Sequence, residues 1–126
     1  MSRRQKMDDA EALVARIVGC MQEKKAKEII CLNLKKIDAA VTDYFLICHG
    51  TSKTQVDAIA QGVVEKVKQE NLTAPYNKEG FENSEWILID YVDVVVHVFL
   101  DSTRNFYQLE DLWADAERLA YNDDES

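Results

Sequence analysis

With 126 residues, 47% of them apolar, and a formal net charge of -8, the chain can bury a core without disulfides or a metal. Its charge is uneven, since residues 1–78 carry 13 basic and 10 acidic side chains and residues 79–126 carry 2 and 13. The acidic half repels a phosphate backbone, which argues against direct nucleic-acid binding and suits a basic protein surface, although solubility alone also accounts for an acidic face. No stretch approaches the roughly 20 apolar residues of a membrane span. The basic start Ser2-Arg3-Arg4-Gln5-Lys6 leads into Asp8-Asp9 with no apolar signal core, so a soluble, cytoplasmic protein is expected. Cys20, Cys31 and Cys48 form no C-x-x-C pair and sit in apolar segments, where free cysteines behave as small buried hydrophobes.

A helix is expected from Asp8 or Asp9, because Ala10, Leu13, Val14, Ile17, Val18 and Met21 recur at helical spacing, and Asp8 with Glu11 resembles a capping box. Glu28 to Leu34 then reads as a strand with Ile30, Leu32 and Leu34 on one face and Ile29 and Cys31 on the other. Asp43 to His49 makes a second strand ended by Gly50, and Ser52 with Gln55 caps a second helix carrying Val56, Ile59, Ala60, Val63, Val64 and Val67 and ending near Asn71. Pro75 limits the start of the next extended segment, Tyr76 to Glu79, to an edge position or a strand's first residues.

Glu85 to Leu100 reads as a hairpin turning at Asp90 to Asp93. Ile87, Ile89 and Tyr91 share a face opposite Trp86, Leu88 and Asp90, and Val94, Val96 and Val98 lie opposite Val95, His97 and Phe99. Both faces are apolar, so one must be covered by something other than the two helices: a further helix, a second copy or a partner. From Asp101 or Ser102 a last helical stripe carries Phe106, Leu109, Leu112, Trp113 and Ala116 among acidic residues, and Asn122 to Ser126 should fray. The expected fold is α/β in the α+β sense: one domain over residues 1–126, with a mixed sheet of about five strands flanked by helices.

Little here points to catalysis. Neither His49 nor His97 has a metal-spaced companion, and His97 alternates within an apolar strand as a packed, hydrogen-bonded residue does. Gly50-Thr51-Ser52 leads from a strand into a helix and could receive a phosphate, but it lacks the glycine spacing and lysine of a nucleotide loop, and a helix cap explains it. Asp90 and Asp93, like Glu82 and Glu85, are three residues apart, whereas a two-metal site wants acids two apart on one strand face. No catalytic residue, cofactor or metal is therefore expected; the alternative is a divergent nucleotidyltransferase-like enzyme that binds a nucleotide at Gly50 to Ser52. The aromatic residues Trp86, Tyr91, Phe99, Phe106, Tyr107 and Trp113 concentrate in the acidic last third, as interface anchors do. Core packing accounts for Phe99 and Phe106 at least as well, which leaves Trp86 and Trp113 as the better interface residues.

Asp43-Tyr44-Phe45-Leu46-Ile47-Cys48, Gly50-Thr51-Ser52, Glu79-Gly80, Trp86-Ile87-Leu88-Ile89-Asp90-Tyr91, Asp93-Val94-Val95-Val96-His97-Val98-Phe99 and Phe106-Tyr107-Gln108-Leu109-Glu110-Asp111-Leu112-Trp113 together resemble the ribosomal silencing factor (Iojap-related) family over about residues 8–117. The resemblance implies a nucleotidyltransferase-like fold without that activity. It also implies a protein that binds the large ribosomal subunit through ribosomal protein L-fourteen, blocks joining of the small subunit and represses translation under nutrient limitation. Members are often homodimers, so a homodimer is expected when the protein is free. Carried over by position, the protein-binding residues are Trp86, Asp90, Tyr91 and Asp93 from the hairpin and Tyr107, Leu109, Leu112 and Trp113 from the last element. Val92 stands where the family commonly has glycine, and a β-branched residue resists positive φ, so an altered turn or a bulge is expected there.

Overall fold

Side-chain alternation along the strands decides what each sheet face meets. In a computed structural model, which describes residues 9–71 and 73–121, the elements run α1 (Asp9–Glu23), β1 (Lys27–Asn33), β2 (Tyr44–Gly50), α2 (Lys53–Asn71), β3 (Asn77–Glu79), β4 (Trp86–Asp90), β5 (Val94–Leu100), α3 (Asp101–Tyr107), α4 (Leu109–Leu112) and β6 (Glu117–Tyr121). The strands form one mixed sheet in the order β3-β4-β5-β2-β1-β6. Only the central β2–β5 pair is parallel; the other four are antiparallel.

Helices α1 and α2 lie together on one face. Ile17, Val18 and Met21 of α1 and Val56, Ile59, Val63 and Val67 of α2 pack on Cys31, Leu46, Cys48, Ile87, Ile89, Val94, Val96 and Val98 from the strands. The expected stripes of both helices are thus the ones buried, and α2 ends at Asn71 as its periodicity predicts. The cap assigned to Asp8 and the fraying assigned to Asn122 to Ser126 lie outside the described residues. All three cysteines are free and buried. Burial pushes the Cys31 thiol up to about 11 and Cys48 to about 12, which leaves them protonated and unreactive.

The second face is covered by a different set. Leu32, Leu34, Ile47, Phe99 and Leu109 form its buried cluster, with Ile30, Phe45, Trp86 and Trp113 packed around them. The further helix called for by two apolar faces is present, but it is broken. Gln108 adopts φ 50°, ψ 52°, which ends α3 and turns the chain into the single turn of α4. The chain then reverses through residues 113–115 and adds β6 against β1, with Cys31 opposite Leu119. The sheet therefore has six strands where about five were expected.

The hairpin turn keeps its register without a bulge, from Trp86 opposite Phe99 to Asp90 opposite Val95. Val92 adopts φ 76°, and the Asp93 N–H donates to the Tyr91 carbonyl at 2.9 Å, the i to i+2 bond of a γ-turn with positive φ. The Asp90 carboxylate accepts the Val92 N–H at 2.7 Å, and the Thr42 hydroxyl donates to the Val92 carbonyl at 2.8 Å. At the other end of β4, Gly80 has φ 91°, and any Cβ there would collide with the Trp86 carbonyl. Only glycine lets the preceding loop pass so close to the first residue of β4.

Candidate functional site

The second sheet face carries a continuous row of rings. β4 and β5 place Trp86 beside Phe99, with ring centroids 4.8 Å apart, and the Trp86 Nε1–H donates to His97 Nδ1 at 3.1 Å. Because α3 follows β5 directly, it folds Tyr107 back over Trp86, centroid to centroid 4.9 Å. In the other direction His97 meets Phe45 edge-on at 4.7 Å, and Phe45 meets Trp113 edge-on at 5.7 Å. The row thus reads Tyr107, Trp86, His97, Phe45, Trp113. His97 is 4% exposed, and burial lowers it to about 4, so its ring is neutral at neutral pH and serves as a packed acceptor.

A buried arginine fixes α3 and α4 against the sheet. Arg104 donates from Nε and Nη2 to Glu110 Oε2 at 3.1 and 2.9 Å and from Nη1 to the Glu28 carbonyl at 2.8 Å. Its Nη1 also lies 2.9 Å from His49 Nδ1. The side chain is 5% exposed, and its guanidinium ties the last helical elements to the ends of β1 and β2. Nothing in the periodicity marks this residue. The available signal is compositional: Arg104 is one of two basic residues among thirteen acidic ones after residue 78.

Of the eight residues expected to bind protein, the structure brings Trp86, Tyr107, Leu109 and Trp113 onto this face. Leu109 is a buried support for it, whereas Leu112 is 74% exposed. Asp90 stands at the lip of a groove on the same face, with Phe45, Leu88, Val95 and His97 as floor and Trp113 and the fully exposed Val41 among its walls; the groove encloses about 270 Å³. Asp93 is exposed in the turn, and its carbonyl accepts the N–H groups of Asp43 and Tyr44. Tyr91 does not join the others. It is buried on the opposite face among residues of the helix-covered core, and burial pushes its hydroxyl up to about 12. Phe99 is fully buried, while Phe106 is largely exposed beside Tyr107. Phe45, Leu88 and Val41 carry no binding signal in the sequence: the first two look like ordinary strand residues, and Val41 acquires its position only from the loop after β1.

The Gly50-Thr51-Ser52 turn is engaged as a cap. Ser52 Oγ accepts the Gln55 N–H at 3.1 Å, and Gln55 Oε1 accepts the Thr51 N–H at 2.8 Å, so two amides that a phosphate would need are already occupied. No three His, Cys, Asp or Glu side chains are grouped to hold a metal among the described residues. No described helix is long and apolar enough to cross a membrane. A larger cavity, about 670 Å³, lies elsewhere, between α1 and β6 with Val14, Val18, Cys31, Tyr44 and Leu119 in its walls.

The family model described as "Ribosomal silencing factor during starvation" matches residues 7–126. Ribosomal silencing factor RsfS of Halalkalibacterium halodurans is 45% identical over 106 residues, covering 84% of this chain and 89% of that one. A Mus musculus protein named "Mitochondrial assembly of ribosomal large subunit protein 1" is 31% identical over 99 residues, covering 77% of this chain and 43% of its own length. Among solved structures, a protein of Chromobacterium violaceum matches with a TM-score of 0.79 at 32% identity, covering 85% of this chain and 88% of that one.

Proposed function

The chain belongs to the ribosomal silencing factor family, and from that premise we propose that it binds the large ribosomal subunit in the cytoplasm through ribosomal protein L-fourteen and sterically keeps the small subunit from joining. Translation then falls when nutrients are short. No reaction is part of this mechanism; occupancy of the surface is the whole effect. The observation that carries the reading is the ring row from Tyr107 to Trp113 on the sheet face that α1 and α2 leave alone, with Asp90 lining the adjacent groove and the exposed Asp111, Leu112 and Asp115 flanking Trp113 in the chain. Large amphipathic rings framed by acids suit a basic protein surface. The large-subunit name of the mouse relative supports the same partner.

When free, the protein pairs with a second copy. The two sheet edges differ in a way that favours β6 as the contact. β3 is three residues long, carries only Asn77, Lys78 and Glu79, and follows Pro75, which blunts it as an edge. β6 instead exposes Leu119 beside the α1 cleft.

The direct test mixes purified protein with separated subunits and sediments them on a density gradient. Migration with the large subunit alone, with fewer joined ribosomes, is the expected result. Protein that stays at the top while joining proceeds would overturn the occlusion mechanism.

A further inference from the structure

The end of the sheet at which β2 and β5 begin carries two aliphatic side chains that the fold leaves uncovered. Val41, in the loop before β2, is 99% exposed, and Val92, in the turn between β4 and β5, is 57% exposed. Hydrogen bonds bring the two segments together: the Thr42 hydroxyl donates to the Val92 carbonyl at 2.8 Å, and the Asp43 and Tyr44 N–H groups donate to the Asp93 carbonyl, each at 3.1 Å. Val92 is also at odds with its own backbone. A turn residue at φ 76° is ordinarily glycine or asparagine. A strained position that keeps an exposed, β-branched apolar side chain is accounted for by function rather than by folding.

Continuity and charge narrow what covers them. Val41 lines the groove on the second sheet face together with Ala39, Ala40, Leu88 and Val95, so the exposed aliphatic surface runs on into an apolar groove of about 270 Å³ and does not stand alone. Carboxylates accompany it from three places: Asp90 lines the groove, the exposed Asp93 follows Val92, and the exposed Asp38 precedes Ala39. Of the two lysines in the same loop, Lys35 lies over the Tyr44 ring, 5.3 Å from its centroid, and Tyr44 belongs to the helix-covered core. Lys36 is then that loop's counterweight to three acids. An apolar patch among acids fits a protein segment whose apolar side chain sits among lysines or arginines.

We propose that Val41 and Val92 form a second contact area for the basic protein partner, an aliphatic patch at the end of the sheet that one apolar side chain of the partner covers while its neighbouring basic residues meet Asp38 and Asp93. The patch rests on the partner-binding reading above and adds to it a contact that the ring row does not supply. The strain at Val92 is then the cost of presenting an apolar side chain to the partner where glycine would present none.

The test measures the affinity of wild type and variants for isolated large subunits at two salt concentrations, alongside urea midpoints and self-association by sedimentation equilibrium. Val92→Gly relieves the strain, and Val92→Asn tolerates positive φ while replacing the apolar side chain. Both should fold with a urea midpoint no lower than that of wild type, yet bind subunits about fivefold or more weakly. A merely structural residue would not move stability and affinity apart in this way. Val41→Ser should weaken binding by a similar factor, and Val41→Leu, which keeps the patch apolar, should bind within about threefold of wild type. The valine effects should be the same at both salt concentrations, whereas Asp38→Asn combined with Asp93→Asn should slow association at low salt only. Wild type that fails to bind subunits would overturn the partner reading itself. Binding by wild type, Val92→Asn and Val41→Ser alike would overturn only the patch. Loss of self-association in those variants with unchanged subunit affinity would also overturn it, because the cover would then be a second copy.

Discussion

Val92 holds a backbone conformation that its side chain resists. A β-branched residue at φ 76° carries strain of about 1–3 kcal/mol, and glycine, despite its larger entropy in the unfolded chain, fits better. Val92 is 57% exposed, so little burial is lost on replacing it. Val92→Gly should therefore stabilise the protein by about 1 kcal/mol, read as a higher urea midpoint at unchanged slope. His97 sets a pH dependence. Its folded form titrates at about 4, below the ordinary 6.5, so between those values the unfolded chain binds a proton that the folded chain refuses. Stability falls as pH falls through that window, by about 3 kcal/mol in all, and the contribution then levels off below pH 4. Urea midpoints of wild type at pH 7 and pH 4.5 should separate more widely than those of His97→Phe; equal separations would count against the assignment.

At the scale of elements, the strongest dependence belongs to α3 and α4, which have 7 and 4 residues and are too short to be stable alone. Arg104 holds them in place. Arg104→Met leaves Glu110, whose side chain is only 16% exposed, without its counter-charge, and should cost about 3 kcal/mol while reducing the near-ultraviolet dichroism of the Trp86–Tyr107 pair. Adding Glu110→Gln should recover most of the loss. Periodicity made α1, α2 and the strand faces legible, because burial on one side leaves a repeating mark. The strand β6 is a place where tertiary contact overrides local preference. Glu117-Arg118-Leu119-Ala120-Tyr121 has no β-branched residue and reads as the end of a helix, and it becomes a strand only because β1 offers an unpaired edge. Tyr91 shares strand alternation with Ile87 and Ile89, which already placed it on the opposite face from Trp86. The family resemblance carries Tyr91 into the binding set by position, whereas the structure keeps it with the helix-covered core.

For the whole molecule, charge and rings divide the work of association. Thirteen of the acids lie beyond residue 78, so the rate of encounter with a basic partner should drop by about tenfold between low and high salt, with little change in the rate of release. Trp86→Ala should do the reverse, weakening binding by about 2 kcal/mol through faster release. Both are read by real-time binding to immobilised large subunits, and a Trp86→Ala variant that folds and binds normally would remove Trp86 from the interface.

The single parallel ladder has a consequence in time. β1 with β2 and β4 with β5 are antiparallel pairs between strands close in the chain, whereas the seam that joins them, Tyr44 beside Val94 through Gly50 beside Leu100, links segments about 50 residues apart. Neither half has a finished sheet on which α1 and α2 can settle. During synthesis the first half must therefore wait until Leu100 has emerged before its inner strand finds a neighbour, and folding is delayed by the closing of one long loop. Nascent chains halted before that point should remain protease-sensitive, and those halted well beyond it should be resistant.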